Sequence, residues 1–89
     1  MLLGLAFQSV LFVALPSYSR PPQASLDRLL EEARDAQNRG DFVVAARKYT
    51  EAAKLGPSAE IYEKLGLTYF LGNSYSQAVE AFSNALRLE

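Results

Sequence analysis

The chain has no cysteine and no histidine. Without thiols or imidazoles it has no Cys/His zinc site, no thiol nucleophile, no haem or iron–sulfur ligation, and no hydrolytic triad that uses imidazole as its base. Most single-domain enzyme chemistries go with them, so the chain is not expected to be an enzyme and implies no cofactor or metal. Without cysteine there are also no disulfides, and a lipid anchor attached through a processing-site cysteine is excluded. An excess of charge of one sign is missing too: 9 Lys+Arg against 10 Asp+Glu leave a net charge of -1. That offers no field to steer nucleic acid or an anionic membrane. Eighty-nine residues suffice for one small domain with a thin stability margin.

The longest apolar run is Leu2 to Leu15 (LLGLAFQSVLFVAL), which is uncharged and interrupted by Gly4, Gln8 and Ser9 alone. At about 14 residues it is too short for a spanning helix, which needs roughly 20. It has the length of a signal-peptide core. Pro16 breaks it, and Ser17-Tyr18-Ser19 puts small residues at the two positions a signal peptidase reads, with a cut before Arg20. The expectation is a signal peptide over 1–19, a linker over 20–24, and export to the periplasm or outside the cell. The usual Lys or Arg ahead of the run is missing. An uncleaved anchor with Arg20 at the interface is the second alternative, and a covered core helix of a cytosolic protein the third.

From Ser25 onward apolar residues fall at helical intervals with charges between them. Ala45, Tyr49 and Ala52 recur as Ala78, Phe82 and Ala85, about 33 residues later. Ahead of the second copy stand Tyr62, Leu65, Gly66 and Tyr69. This large, large, small, large series followed by small, aromatic, small resembles the tetratricopeptide (TPR) repeat. The resemblance covers residues 25–57 and 58–89. Pro57 stands where the family has its linker proline, and Tyr62 where tryptophan is common. The first copy departs from the pattern in its first helix: Leu29 and Ala33 fit, but Glu32 and Ala36 replace large apolar residues.

Packing physics asks for the same residues. Antiparallel helices approach closely where one offers small side chains to the bulky ones of the other, so Gly66, Ala78 and Ala85 are expected holes and Tyr62, Leu65, Tyr69 and Phe82 expected knobs. The predicted fold is all-α: an α-solenoid of two helix-turn-helix repeats behind the apolar N-terminal segment. Punctuation divides it into four helices. The first runs from Ser25, as N-cap, to Asn38. Arg39-Gly40-Asp41 turns the chain, and Asp41 caps a second helix reaching Leu55. Gly56-Pro57-Ser58 separates the repeats. The third helix covers Ala59 to Leu71 and carries a Glu60–Lys64 pair at i,i+4. Gly72-Asn73 tolerates positive φ, and Ser74-x-x-Gln77 is a capping box opening the fourth.

Tyr49, Tyr62 and Tyr69 are expected in the core, and Glu31, Glu32 and Asp35, interleaved with arginines, on a solvated face. The resemblance implies a concave surface, lined by the first helix of each repeat, that holds a segment of a protein partner. Its positions fall on Asp27, Leu30, Glu31, Arg34, Gln37 and Asn38, and on Glu60, Glu63, Lys64, Leu67, Phe70 and Leu71. Leu67, Phe70 and Leu71 are large, apolar and not needed for the repeat's own packing, which marks them as binding candidates or as a surface covered by the chain itself. Lys64, Arg34 and Leu30 complete the expected contact set. The carboxylate clamp of chaperone-binding family members is not expected, since Leu30 and Arg34 occupy its first two positions and Lys64 replaces an asparagine. Val79, Leu86 and Leu88 leave apolar surface on the fourth helix for further repeats or self-association. The expected function is an exported, protein-binding scaffold with no nucleic-acid or small-molecule ligand. Two alternatives stay open: a docking fragment of a longer TPR-containing enzyme, and an assembly factor tethered to the membrane by an uncleaved N-terminus.

Overall fold

The computed structural model describes residues 22–89. The proposed signal or anchor segment, 1–19, lies outside them. Four helices follow one another: α1 (Pro22–Asn38), α2 (Phe42–Leu55), α3 (Ala59–Leu71) and α4 (Tyr75–Leu88). The described residues form no strand, and no helix among them is long and apolar enough to cross a membrane. α1 packs on α2, α3 on α4, and α2 joins the two pairs through α3.

α1 begins three residues ahead of the expected Ser25, so Pro22 to Ala24, assigned by sequence to a linker, are helical. A proline fits the first turn of a helix because its missing N–H would have no intrahelical partner there. Ser25 therefore sits inside the helix and does not cap it.

The two turns within the pairs are the same device used twice. Gly40 takes φ +81° and Asn73 φ 66°. The Gly40 and Asn73 amides donate to Gln37 and Phe70 at 2.9 and 3.0 Å, and the Asp41 and Ser74 amides reach back to Ala36 and Tyr69 at 2.8 Å each. This is the paired bonding that closes a helix on a left-handed residue. It also corrects the expected caps. Asp41 and Ser74 precede α2 and α4 with ψ near 70°, and neither side chain makes a capping bond, so the capping box does not form. Ser58 is extended (φ -152°, ψ 157°), and its Oγ accepts from the Ile61 amide at 3.2 Å. Ser58 has the extended backbone usual at a capping position, which the other two lack.

The core is built largely of alanine. Ala33, Ala46, Tyr49, Leu65 and Ala81 form one buried cluster and Ala52, Ala53 and Ile61 a second, with Tyr62 and Leu30 packed against both. Ala36, which replaces a large apolar residue of the family pattern, is fully buried. Glu32 does the opposite: it stays exposed and pairs with Lys48 of α2 at 3.1 Å, tying the first pair together at its rim. A buried Thr68 crosses between pairs, its Oγ lying 2.7 Å from Gln37 Oε1 of α1 and 2.8 Å from the Lys64 carbonyl. With the Gln37 amide turned so that its NH2 donates to the hydroxyl, the hydroxyl proton is left for the carbonyl and both groups are satisfied.

Gly66 shows how close α3 and α4 come. A Cβ placed on it would lie 2.7 Å from two carbons of the Phe82 ring. Phe82 serves as the expected knob on that side only; it is still 40 % exposed, because nothing among the described residues covers its outer face.

Candidate functional site

α1 and α3 stand as the two walls of a cleft of about 280 Å³, lined by Asp27, Leu30, Glu31 and Arg34 from α1, Lys64 from α3 and Tyr49 from α2 behind them. Helical spacing accounts for the arrangement. Asp27, Leu30, Glu31 and Arg34 fall at i, i+3, i+4 and i+7 and share one face, and Lys64 lies one turn beyond Glu60 on the facing helix.

Arg34 lies 3.9 Å from Glu31 and 3.6 Å from Asp35, with all three side chains more than half exposed. Such pairs contribute at most about 1 kcal/mol and let go readily when a better partner arrives. Asp27 accepts a hydrogen bond from Gln23 at 2.9 Å. Glu60 and Lys64, expected to pair, do not, and the Lys64 ammonium makes no ion pair among the described residues. At the back, burial pushes the Tyr49 phenol above its ordinary pKa, opposed in part by the positive charge of Arg34. The cleft thus presents two cationic donors on opposite walls, carboxylates beside one of them, and an aromatic floor. This set suits a strand of peptide, whose backbone and side chains carry both kinds of polar group.

The six expected contact residues do not all meet there. Leu30, Arg34 and Lys64 line the cleft, but Leu30 is half-buried and packs against both core clusters, so part of its role is structural. Leu67 and Leu71 are each 44 % exposed and extend the Lys64 face along α3 at i+3 and i+7, outside the cleft lining. Phe70 departs from that face. Its ring stands edge-on to Tyr75 of α4, centroids 5.4 Å apart at 63°, and so it belongs to the far edge of the second pair. Gln37, carried over as a groove position, turns instead to the buried Thr68.

A second hollow, about 300 Å³, lies at the seam of α2, α3 and the start of α4, between Phe42, Arg47, Gly72 and Gln77. Thr68 reaches both its lining and the Gln37 bond, and a Cβ on Gly72 would meet the Phe42 Cβ at 3.0 Å, so the hollow follows from the fit of the two pairs. Thr68 was not legible as a site or core residue from sequence; its one signal is a lone hydroxyl on the buried face of α3.

No protein-family model, curated protein or solved structure matches this chain. The resemblance to TPR repeats therefore rests on the residues quoted above.

Proposed function

We propose that the chain is a TPR-type α-solenoid module, exported by its N-terminal segment, that holds a peptide segment of a protein partner in the cleft between α1 and α3. The observation that carries this is the convergence of Leu30, Arg34 and Lys64, from two helices about 30 residues apart, around Tyr49. The exposed Leu67 and Leu71 lengthen the same face and suit an apolar anchor of the bound segment. Export is supported by Leu2–Leu15 and the Ser17-Tyr18-Ser19 site, and a cut before Arg20 leaves α1, which starts at Pro22, whole.

Peptides selected from a random display library on the 89-residue chain test the cleft. Arg34→Ala and Lys64→Ala each weaken a selected peptide about tenfold, the loss of one charge-assisted hydrogen bond. Phe70→Ala leaves its affinity unchanged. Equal affinity for all three variants removes the cleft from consideration. N-terminal sequencing of the mature protein tests export processing: Arg20 as the first residue supports it, and Met1 refutes it.

A further inference from the structure

The 33-residue recurrence gives each exposed position at the far edge of the molecule a counterpart whose surroundings are known. Phe42, Ala46, Tyr49 and Ala53 of α2 correspond to Tyr75, Val79, Phe82 and Leu86 of α4. The α2 set is covered by the second pair: Ala46, Tyr49 and Ala53 are 7, 3 and 5 % exposed, and Phe42 closes on Gly72. The α4 set is bare, at 54, 65, 40 and 71 %. It is also bulkier, with valine and leucine where α2 has alanines. Phe70, leaning on Tyr75, widens the patch. A monomer that leaves this stripe in water exposes a surface of the kind this same chain buries under a helix 33 residues earlier.

We propose that this edge is the interface of a two-fold symmetric homodimer, α4 packing antiparallel on α4 of a second copy. The opposite edge decides against stacking in one direction. α3 covers α2 with Ile61, Leu65 and Thr68, all buried. The same register on α1 holds Arg28, Glu32 and Asp35, all exposed. α1 of a second copy cannot take the place of α3 without burying three charges, each costly unless paired. Head-to-tail assembly is closed off at that edge; between two copies of the chain, like face against like face remains, and it closes at two.

The stripe is self-complementary in the antiparallel sense. A two-fold axis passing between Glu80 and Ala81 sets Tyr75 against Leu86 of the second copy and Val79 against Phe82, so an aromatic ring meets an aliphatic side chain at every level. The exposed Ser76 and Ser83 flank the stripe on its solvent side by helical spacing. Scaling ordinary areas by the observed exposures of Phe70, Tyr75, Val79, Phe82 and Leu86 gives about 400–550 Å² per copy, or roughly 800–1,100 Å² in the pair when all of it is covered, the size of a small, weak specific interface. The cleft between α1 and α3 lies on other faces and stays open in the dimer, so the two proposals stand or fall separately.

Sedimentation equilibrium on the 89-residue chain, as wild type and as Val79→Glu/Leu86→Glu, tests the proposal. Both substituted positions are more than half exposed, so the helices survive in the monomer, and far-UV circular dichroism checks that. The wild type is expected to dimerise and the variant to dissociate with a Kd raised about 100-fold or more, since each copy would bring two carboxylates into the contact. The absence of cysteine makes a second measurement clean: Val79→Cys is expected to cross-link with a short bismaleimide, and Arg28→Cys at the opposite edge is not. A wild-type monomer at all concentrations overturns the proposal. So does association that the glutamates leave unchanged, which would place it on another surface, or equal cross-linking from both cysteines.

Discussion

Gly66→Ala tests the packing of α3 on α4 at its tightest point. In an exposed helix interior the change stabilises by about 1 kcal/mol, because alanine has the higher helix propensity. Here the new methyl would lie 2.7 Å from Cδ1 and Cε1 and 2.9 Å from Cζ of Phe82, well inside van der Waals contact. The ring is stiff and must move as a unit. It can swing outward, because it is 40 % exposed, but doing so gives up the part now buried against α3. Fully burying a phenylalanine contributes about 1.5–3 kcal/mol, so losing somewhat over half of that costs about 1–2 kcal/mol and outweighs the propensity gain. The expected net effect is a destabilisation of up to about 1 kcal/mol, or a fall in Tm of up to about 8 °C for a domain this small. A double-mutant cycle isolates the cause. In a Phe82→Ala background the clash is gone, and Gly66→Ala should become stabilising by about 1 kcal/mol. Urea unfolding followed by circular dichroism measures all four proteins, at a protein concentration low enough that association adds nothing. The same sign in both backgrounds would refute the reasoning.

Two further outcomes follow from groups whose partners are known. Tyr49 has its folded-state pKa raised, by burial first, with Arg34 opposing. The unfolded phenol ionises first, at about pH 10, so the stability this group contributes is intact below that pH and is lost as pH rises toward the folded value. Tyr49→Phe should flatten the alkaline limb of a stability-versus-pH curve measured by urea unfolding, and an unchanged limb would rule the group out. Among the three helix-start side chains, Ser58→Ala should cost about 1 kcal/mol, because its Oγ accepts from Ile61, whereas Asp41→Ala and Ser74→Ala, which make no such bond, should each cost less than half as much. Equal losses at all three positions in thermal unfolding would contradict the cap geometry.

The parts of the fold legible in the sequence are those governed by local chemistry. Gly40, Gly56-Pro57 and Gly72-Asn73 interrupt the helical periodicity where the chain does turn, so the bounds of α2, α3 and the end of α1 could be placed from them. The start of α1 could not. Residues 20–24 read as a linker, yet a proline is well placed in the first turn of a helix, where its missing N–H costs nothing. The caps failed for a related reason. Asp41 and Ser74 have the right side chains in the right places, but each follows a left-handed residue and has a ψ near 70° in place of the extended backbone of a capping position, and neither makes the bond. What depends on distant neighbours was least visible. The bond between Gln37 and Thr68 spans 31 residues, and it moves Gln37 from the expected groove to the seam between pairs. Phe70 looked equivalent to Leu67 and Leu71 by size and exposure, and it took the α3–α4 turn, which brings Tyr75 alongside, to set it on a different face.

α3 shows why the candidate site can vary without disturbing the fold. Ile61, Leu65 and Thr68 face inward and are buried, so substitutions there disturb the packing between pairs. Glu60, Lys64, Leu67 and Leu71 recur at i, i+4, i+7 and i+11 and are all exposed, although Leu67 and Leu71 keep somewhat over half of their surface covered. Glu63 and Phe70 lie on a third face, toward the edge where α4 is bare. A helix of 13 residues thus separates packing, groove and edge by angle around its axis. Changes at Lys64 would alter the proposed groove at little cost to stability, because surface substitutions away from special features stay within about 0.5 kcal/mol. Large apolar residues at such positions need a reason outside the folded chain. For Leu67 and Leu71 the proposed peptide groove would supply one, as the proposed dimer edge would for Phe70.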